Sequence, residues 1–110
     1  MNRIDVGKDF YHRLANRDQR QGDGKHNATQ FREKYLLGLD NTDAWRDDSP
    51  FILFDFENVK IIGPSFANEA FGYFTVYASQ ERILNKIRFE NLSTVQKSII
   101  ETELTAGYSR

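Results

Sequence analysis

Residues 51–78, FILFDFENVKIIGPSFANEAFGYFTVYA, constrain the fold more than any other stretch of the chain. Phe51 to Phe54 is an unbroken apolar run closed by Asp55, with Phe56 and Val59 beyond it. A short run rich in aromatic and branched residues predicts a central strand covered on both faces. Gly63, Pro64 and Ser65 follow. Glycine tolerates a strained turn, proline presets a helical φ, and a serine hydroxyl can accept from an early helix N–H. Gly63 and Pro64 are therefore read as a structural turn, with Asp55 bracing it and Ser65 starting a helix. Phe66, Ala70, Phe71, Phe74, Tyr77 and Ala78 then recur at spacings of three and four, which predicts one continuous helix running out near residues 80–82. The start of that helix also offers free backbone N–H groups to an anion.

The flanking segments supply the rest of an α/β chain. Ile4, Val6 and Phe10 share one period of two, predicting a first strand within residues 3–10. Asp23-Gly24 is a turn signal that can close a hairpin with a short strand within residues 17–22. Asn27 and Gln30 have capping-box spacing before the stripe Phe31, Tyr35, Leu36 and Leu39, so a helix is expected there. Residues 40–50, with four Asp and a Ser-Pro ending, read as a loop that buries little except Trp45. Ile87 and Phe89 alternate with charges, which predicts a strand with one wet side near a sheet edge. Ser93 and Gln96 repeat the capping-box spacing, and Val95, Ile99, Ile100, Leu104 and Ala106 mark a final helix ending at Gly107. Successive strand–helix units predict right-handed crossovers and at least partly parallel pairing.

Composition excludes several classes of function. With 110 residues, one domain is expected. No cysteine is present, so disulfides, thiolate chemistry and Cys-based metal sites are absent. The 15 basic and 16 acidic side chains nearly cancel, which argues against a general nucleic-acid binder. No apolar run approaches 18 residues and the N-terminus has no apolar signal region, so a cytoplasmic location without membrane association is expected.

Ser65 is the sharpest candidate site. Beyond capping, a phosphate there would add nearly two negative charges at a helix start that accepts them, altering a surface without unfolding the domain. Asn68 and Glu69 flank the apolar stripe and are expected to be exposed beside it, on a partner-contact surface. Arg13, Arg17, Arg20 and Lys25 form a basic patch diluted by Asp9, Asp18 and Asp23. His12 and His26 show no metal-ligand spacing, and no metal site is expected. No histidine follows Ser65, and no nucleophile elbow, P-loop or dinucleotide-binding glycine pattern occurs. No catalytic set and no cofactor are expected.

The chain resembles the family of small bacterial proteins described as STAS-like domains of unknown function, distant relatives of anti-sigma factor antagonists. The likeness rests on residues 24–37 and above all on Ile62 to Phe74, IGPSFANEAFGYF, with IRFENL at residues 87–92 as a late strand. Ser65-Phe66, Glu69, Phe71 and Gly72 look like that family's serine–phenylalanine turn, acidic residue and Phe-Gly pair. The resemblance implies a mixed sheet of about four strands flanked by about three helices, and a non-enzymatic signalling role. It also implies that Ser65 sits at or beside the serine phosphorylated in the antagonists by an ATP-binding kinase partner. Gly63-Pro64 before Ser65 and Phe66 after it depart from the antagonists' pattern of a polar pair and glycine.

The expected function is thus a regulatory interaction module contacting a protein partner, of ATPase or histidine-kinase-like type, through Ser65, Phe66, Asn68, Glu69 and Gly72. Self-association through the edge strand is a further expectation. The alternatives are nucleic-acid binding through residues 13–25 and an enzyme using Asp23, His26 or Glu69.

Overall fold

The computed structural model describes residues 1–20 and 24–109. In chain order the strands and helices are β1 (Asn2–Asp5), α1 (Val6–Asp9), β2 (Arg13–Leu14), α2 (Ala28–Tyr35), β3 (Ile52–Asp55), β4 (Ile61–Ile62), α3 (Pro64–Ala70), α4 (Gln80–Lys86), β5 (Ile87–Glu90) and α5 (Thr94–Ala106). Three 3₁₀ turns, Leu37–Leu39, Asp43–Trp45 and Gly72–Val76, connect them. Among the described residues no helix is long and apolar enough to cross a membrane.

The strands form two sheets. One has the order β1-β3-β5 and the other pairs β2 with β4. Asn2, Ile52 and Ile87 stand in register at one end of the larger sheet, and Asp5, Asp55 and Glu90 at the other. Every pairing among the described residues is parallel, where a mixed sheet was expected. The connections explain this: helices lie between β1 and β3 and between β3 and β5, which is what parallel neighbours require. The chain is an α/β fold with a parallel sheet flanked by helices.

The core lies on one face of the larger sheet. Ile52, Phe54 and Ile87 are buried, and the Phe54 ring meets Phe31 of α2 at 4.9 Å, while Phe89 meets Phe71 at 5.1 Å. The opposite face carries the register row Arg3, Leu53 and Arg88, with both arginines exposed. Covering of β3 on both faces is therefore corrected to covering on one, and Phe51, at 38% exposure, lies outside the strand.

Local chemistry sets most boundaries. Asn27 caps α2 by accepting from the Gln30 amide at 2.9 Å, and Ser93 and Gln96 form a complete capping box on α5. Gly107 ends α5 at φ 82°, a left-handed conformation that glycine adopts without steric cost. Three expectations fail. Ile4 and Phe10 do not share a strand, because Asp5 caps α1 by accepting from the Lys8 amide and turns the chain at Val6. The small second strand is Arg13–Leu14, paired in parallel with β4 rather than in a hairpin; the turn at Asp23 lies outside the described residues. The long helix is also broken. α3 stops at Ala70, a 3₁₀ turn carries Gly72 to Val76, and Ser79 caps a new helix, α4. Glycine and the residues Tyr73 to Tyr77, β-branched or aromatic, favour that break although the apolar stripe runs through it.

Candidate functional site

The junction of β4 and α3 is held by backbone bonds. The Gly63 amide donates to the Leu14 carbonyl at 2.8 Å, and the Lys60 amide to the His12 carbonyl at 2.8 Å. Gly63, at φ −99° and ψ 162°, is the N-cap residue of α3, and Pro64 is its first helical residue. Ser65 thus lies inside the first turn and caps nothing, which corrects the expected role. It is exposed, as are Lys60, Ile61 and Pro64, and Ile61 leaves 49% of its surface open.

The residues expected to share Ser65's surface do not. Phe66, Asn68, Glu69 and Gly72 are all buried. Phe66 packs against Phe31 at 5.4 Å. A Cβ at Gly72 would stand 3.2 Å from Asn68 Nδ2 and 3.4 Å from the Glu103 carbonyl, so its bareness lets α5 approach. The exposed Asn68 and Glu69 of the sequence reading are corrected to members of an interior polar network.

That network gathers four separated segments. Glu69 accepts from Arg17 Nη1 at 3.0 Å and from Arg32 Nη2 at 2.7 Å, and the Tyr108 hydroxyl lies 3.1 and 3.2 Å from its two oxygens. Arg17 Nη2 donates to Asn68 Oδ1, which also accepts from the Ser109 amide, while Asn68 Nδ2 donates to the Gly107 carbonyl. Arg32 lies 3.8 Å from the centre of the Tyr73 ring, a cation–π contact. Asp40 accepts from the hydroxyls of Tyr73 and Tyr77 at 2.9 and 2.7 Å. The bond to Asp40, and burial after it, push the Tyr77 hydroxyl up to about 12; burial leads the rise at Tyr73. Among the described residues no buried side-chain nitrogen or oxygen lacks a hydrogen-bond partner. With every member satisfied, such a network fixes one packing arrangement.

The remaining candidates are dispersed. Arg17 turns inward onto Glu69, whereas Arg20 is held on Asp18 at 2.6 Å with most of its side chain exposed. Arg13 is exposed on β2 and Lys25 is exposed beyond it. The Asp55 carboxylate accepts from Asn91 Nδ2, the Glu57 amide and Arg3, and those bonds, Asn91's foremost, lower its pKa despite burial. His26 stacks on Tyr11 at 4.1 Å and shares no neighbour with Glu69 among these contacts, and Asp23 lies outside the described residues. Among the described residues no group of three metal-ligating side chains converges.

Two features escaped the sequence reading. The arginines on Glu69 come from 52 and 37 residues away, and no local spacing announces such pairs. One signal was present. Phe66, Ala67, Ala70 and Phe71 leave α3 apolar nearly all round, so Asn68 and Glu69 have little solvent to face. The second is the exposed Ile61, the outward member of a two-residue strand too short for periodicity to detect.

Residues 27–97 match the family described as STAS-like domain of unknown function (DUF4325). The chain belongs to that family. The match includes β3, β4, α3 and β5, and thus the turn that carries Ser65, while β2, which holds that turn from the side, precedes it. Comparison with curated proteins and with solved structures gave no match.

Proposed function

We propose that the protein is a non-enzymatic regulatory module that binds a protein partner at the β4–α3 junction, with phosphorylation of Ser65 as the control. One observation carries this reading: Ser65 and Ile61, four residues apart across the hydrogen-bonded β4–α3 junction, are both exposed, and the Ser65 hydroxyl has no hydrogen-bond partner among the described residues. Ile61 offers apolar contact area, and Pro64 adds a surface with no backbone N–H. A phosphate on Ser65 would project into solvent beside Ile61, so it would charge the contact surface without breaking a core bond. The resemblance to anti-sigma factor antagonists supports a signalling role, and the partner class it suggests is an ATPase or histidine-kinase-like protein.

The test is affinity capture from the native cells with wild type, Ile61→Asp, Ser65→Asp and Leu37→Asp. Leu37, 65% exposed on a different turn, is the control. A partner lost with the first two variants and kept by the third supports the reading, and phosphate on Ser65 in intact-mass analysis supports the control. A partner retained equally by all three variants overturns it.

A further inference from the structure

β5 ends the larger sheet, and its outer edge pairs with no strand among the described residues. The Phe51 amide donates to the Lys86 carbonyl and the Phe56 amide to the Glu90 carbonyl. Even-numbered residues of β5 therefore bond to β3, and alternation turns the N–H and C=O of Phe89 toward the open edge. A groove of about 390 Å³ runs beside that edge, floored by Leu84, Leu92 and Ile100 and rimmed by Lys97 and Glu101 of α5. Phe89 is only partly buried where it borders this groove.

The charges select the occupant. Arg88 and Glu90 point to the same face of β5, and Arg88 has no ion-pair partner among the described residues. Arg3 holds Glu90 through Oε2, which leaves Oε1 unoccupied by that bond. In an antiparallel pair centred on Phe89, Arg88 faces the second copy's Glu90 and Glu90 faces the second copy's Arg88. These are the non-hydrogen-bonded positions, where side chains approach most closely. Lys97 and Glu101, one helical turn apart on α5, line the same groove with opposite charges. We infer that two copies join through β5, antiparallel, to make one sheet of six strands in the order β1-β3-β5-β5-β3-β1. The interface is separate from the Ser65 surface. Its short strands place the dimer in the weak class, with dissociation in the micromolar range.

Sedimentation equilibrium of the full chain from micromolar to millimolar concentration tests this. Wild type is expected to pass from one chain mass to two. Arg88→Glu and Glu90→Arg alone should each weaken association about tenfold or more, because both pairs become like-charged. Mixing the two variants should restore it, since each then meets its opposite. Urea midpoints near wild type confirm that the variants fold. Hydrogen exchange gives a second readout, in which the Phe89 amide gains protection as concentration rises. A wild type that is monomeric at millimolar concentration overturns the proposal, as does a dimer indifferent to both charge reversals and their mixture.

Discussion

Arg32 holds Glu69 twice: its Nη2 lies 2.7 Å from the carboxylate Oε2, and its Nε donates to the Glu69 backbone carbonyl at 3.2 Å. One side chain of α2 thereby fixes both the position and the charge of a residue with no exposed surface. The carboxylate is flanked by a second arginine, and its burial depends on both.

Glu69→Ala should cost about 3 kcal/mol of unfolding free energy, because two largely buried guanidinium groups each lose a directly bonded carboxylate. Tyr108→Phe removes only a neutral hydroxyl and should cost about 1 kcal/mol. Urea denaturation monitored by far-UV circular dichroism gives both values. Equal losses would contradict the assignment of the charge to the arginine pairs.

Two serines make a matched test of capping. Ser65→Ala should change stability by no more than about 0.5 kcal/mol, because Gly63 occupies the cap. Ser93→Ala should cost about 1 kcal/mol, because its hydroxyl accepts from the Gln96 amide at 3.1 Å. The order of the two thermal midpoints decides the matter.

Asp47 ties the acidic loop to α4. Its carboxylate accepts from Lys86 Nζ at 2.9 Å and from the Ser49 amide, and these bonds, Lys86's foremost, hold its pKa down to about 2 from 3.8. The folded value is depressed, so the associated stability is present above the unfolded value and lost as pH falls from about 4 to about 2. Stability measured between pH 5 and 2 should fall less steeply in Asp47→Asn than in wild type. Asp47 is exposed, so added salt should shrink the difference.

Gly7 is a point of close approach. A Cβ there would stand 2.1 Å from the Asn58 carbonyl oxygen, so Gly7→Ala must push α1 away from the β3–β4 connection. The expected loss is about 2 kcal/mol. Gly38→Ala would meet only the tip of the half-exposed Phe51 ring, which can swing aside, and should cost less than half as much. A chemical-denaturation comparison that reverses this order would refute the argument.

What the sequence revealed follows the range of each interaction. Asn27 and Ser93 were legible because a cap acts across three residues, and β5 because Ile87 and Phe89 alternate with charges. The boundary between α3 and α4 was hidden because Phe74 and Tyr77 continue a helical stripe through a 3₁₀ turn. β2 and β4, two residues each, carry no periodicity at all. At the candidate site, the turn at Gly63 was readable from residue chemistry. The direction in which Asn68 and Glu69 face was set by Arg17, Arg32 and the segment after α5, all distant in sequence.

The parallel register of Asn2 with Ile52 has a consequence for biosynthesis. At a translation rate of roughly 5–20 residues per second, β1 leaves the ribosome several seconds before β3 exists to receive it. β3 in turn waits for β5 on its other side. The nascent chain therefore carries an unpaired strand edge until β5 has been made, and an engineered pause before residue 52 should lengthen its exposure to aggregation and to chaperones.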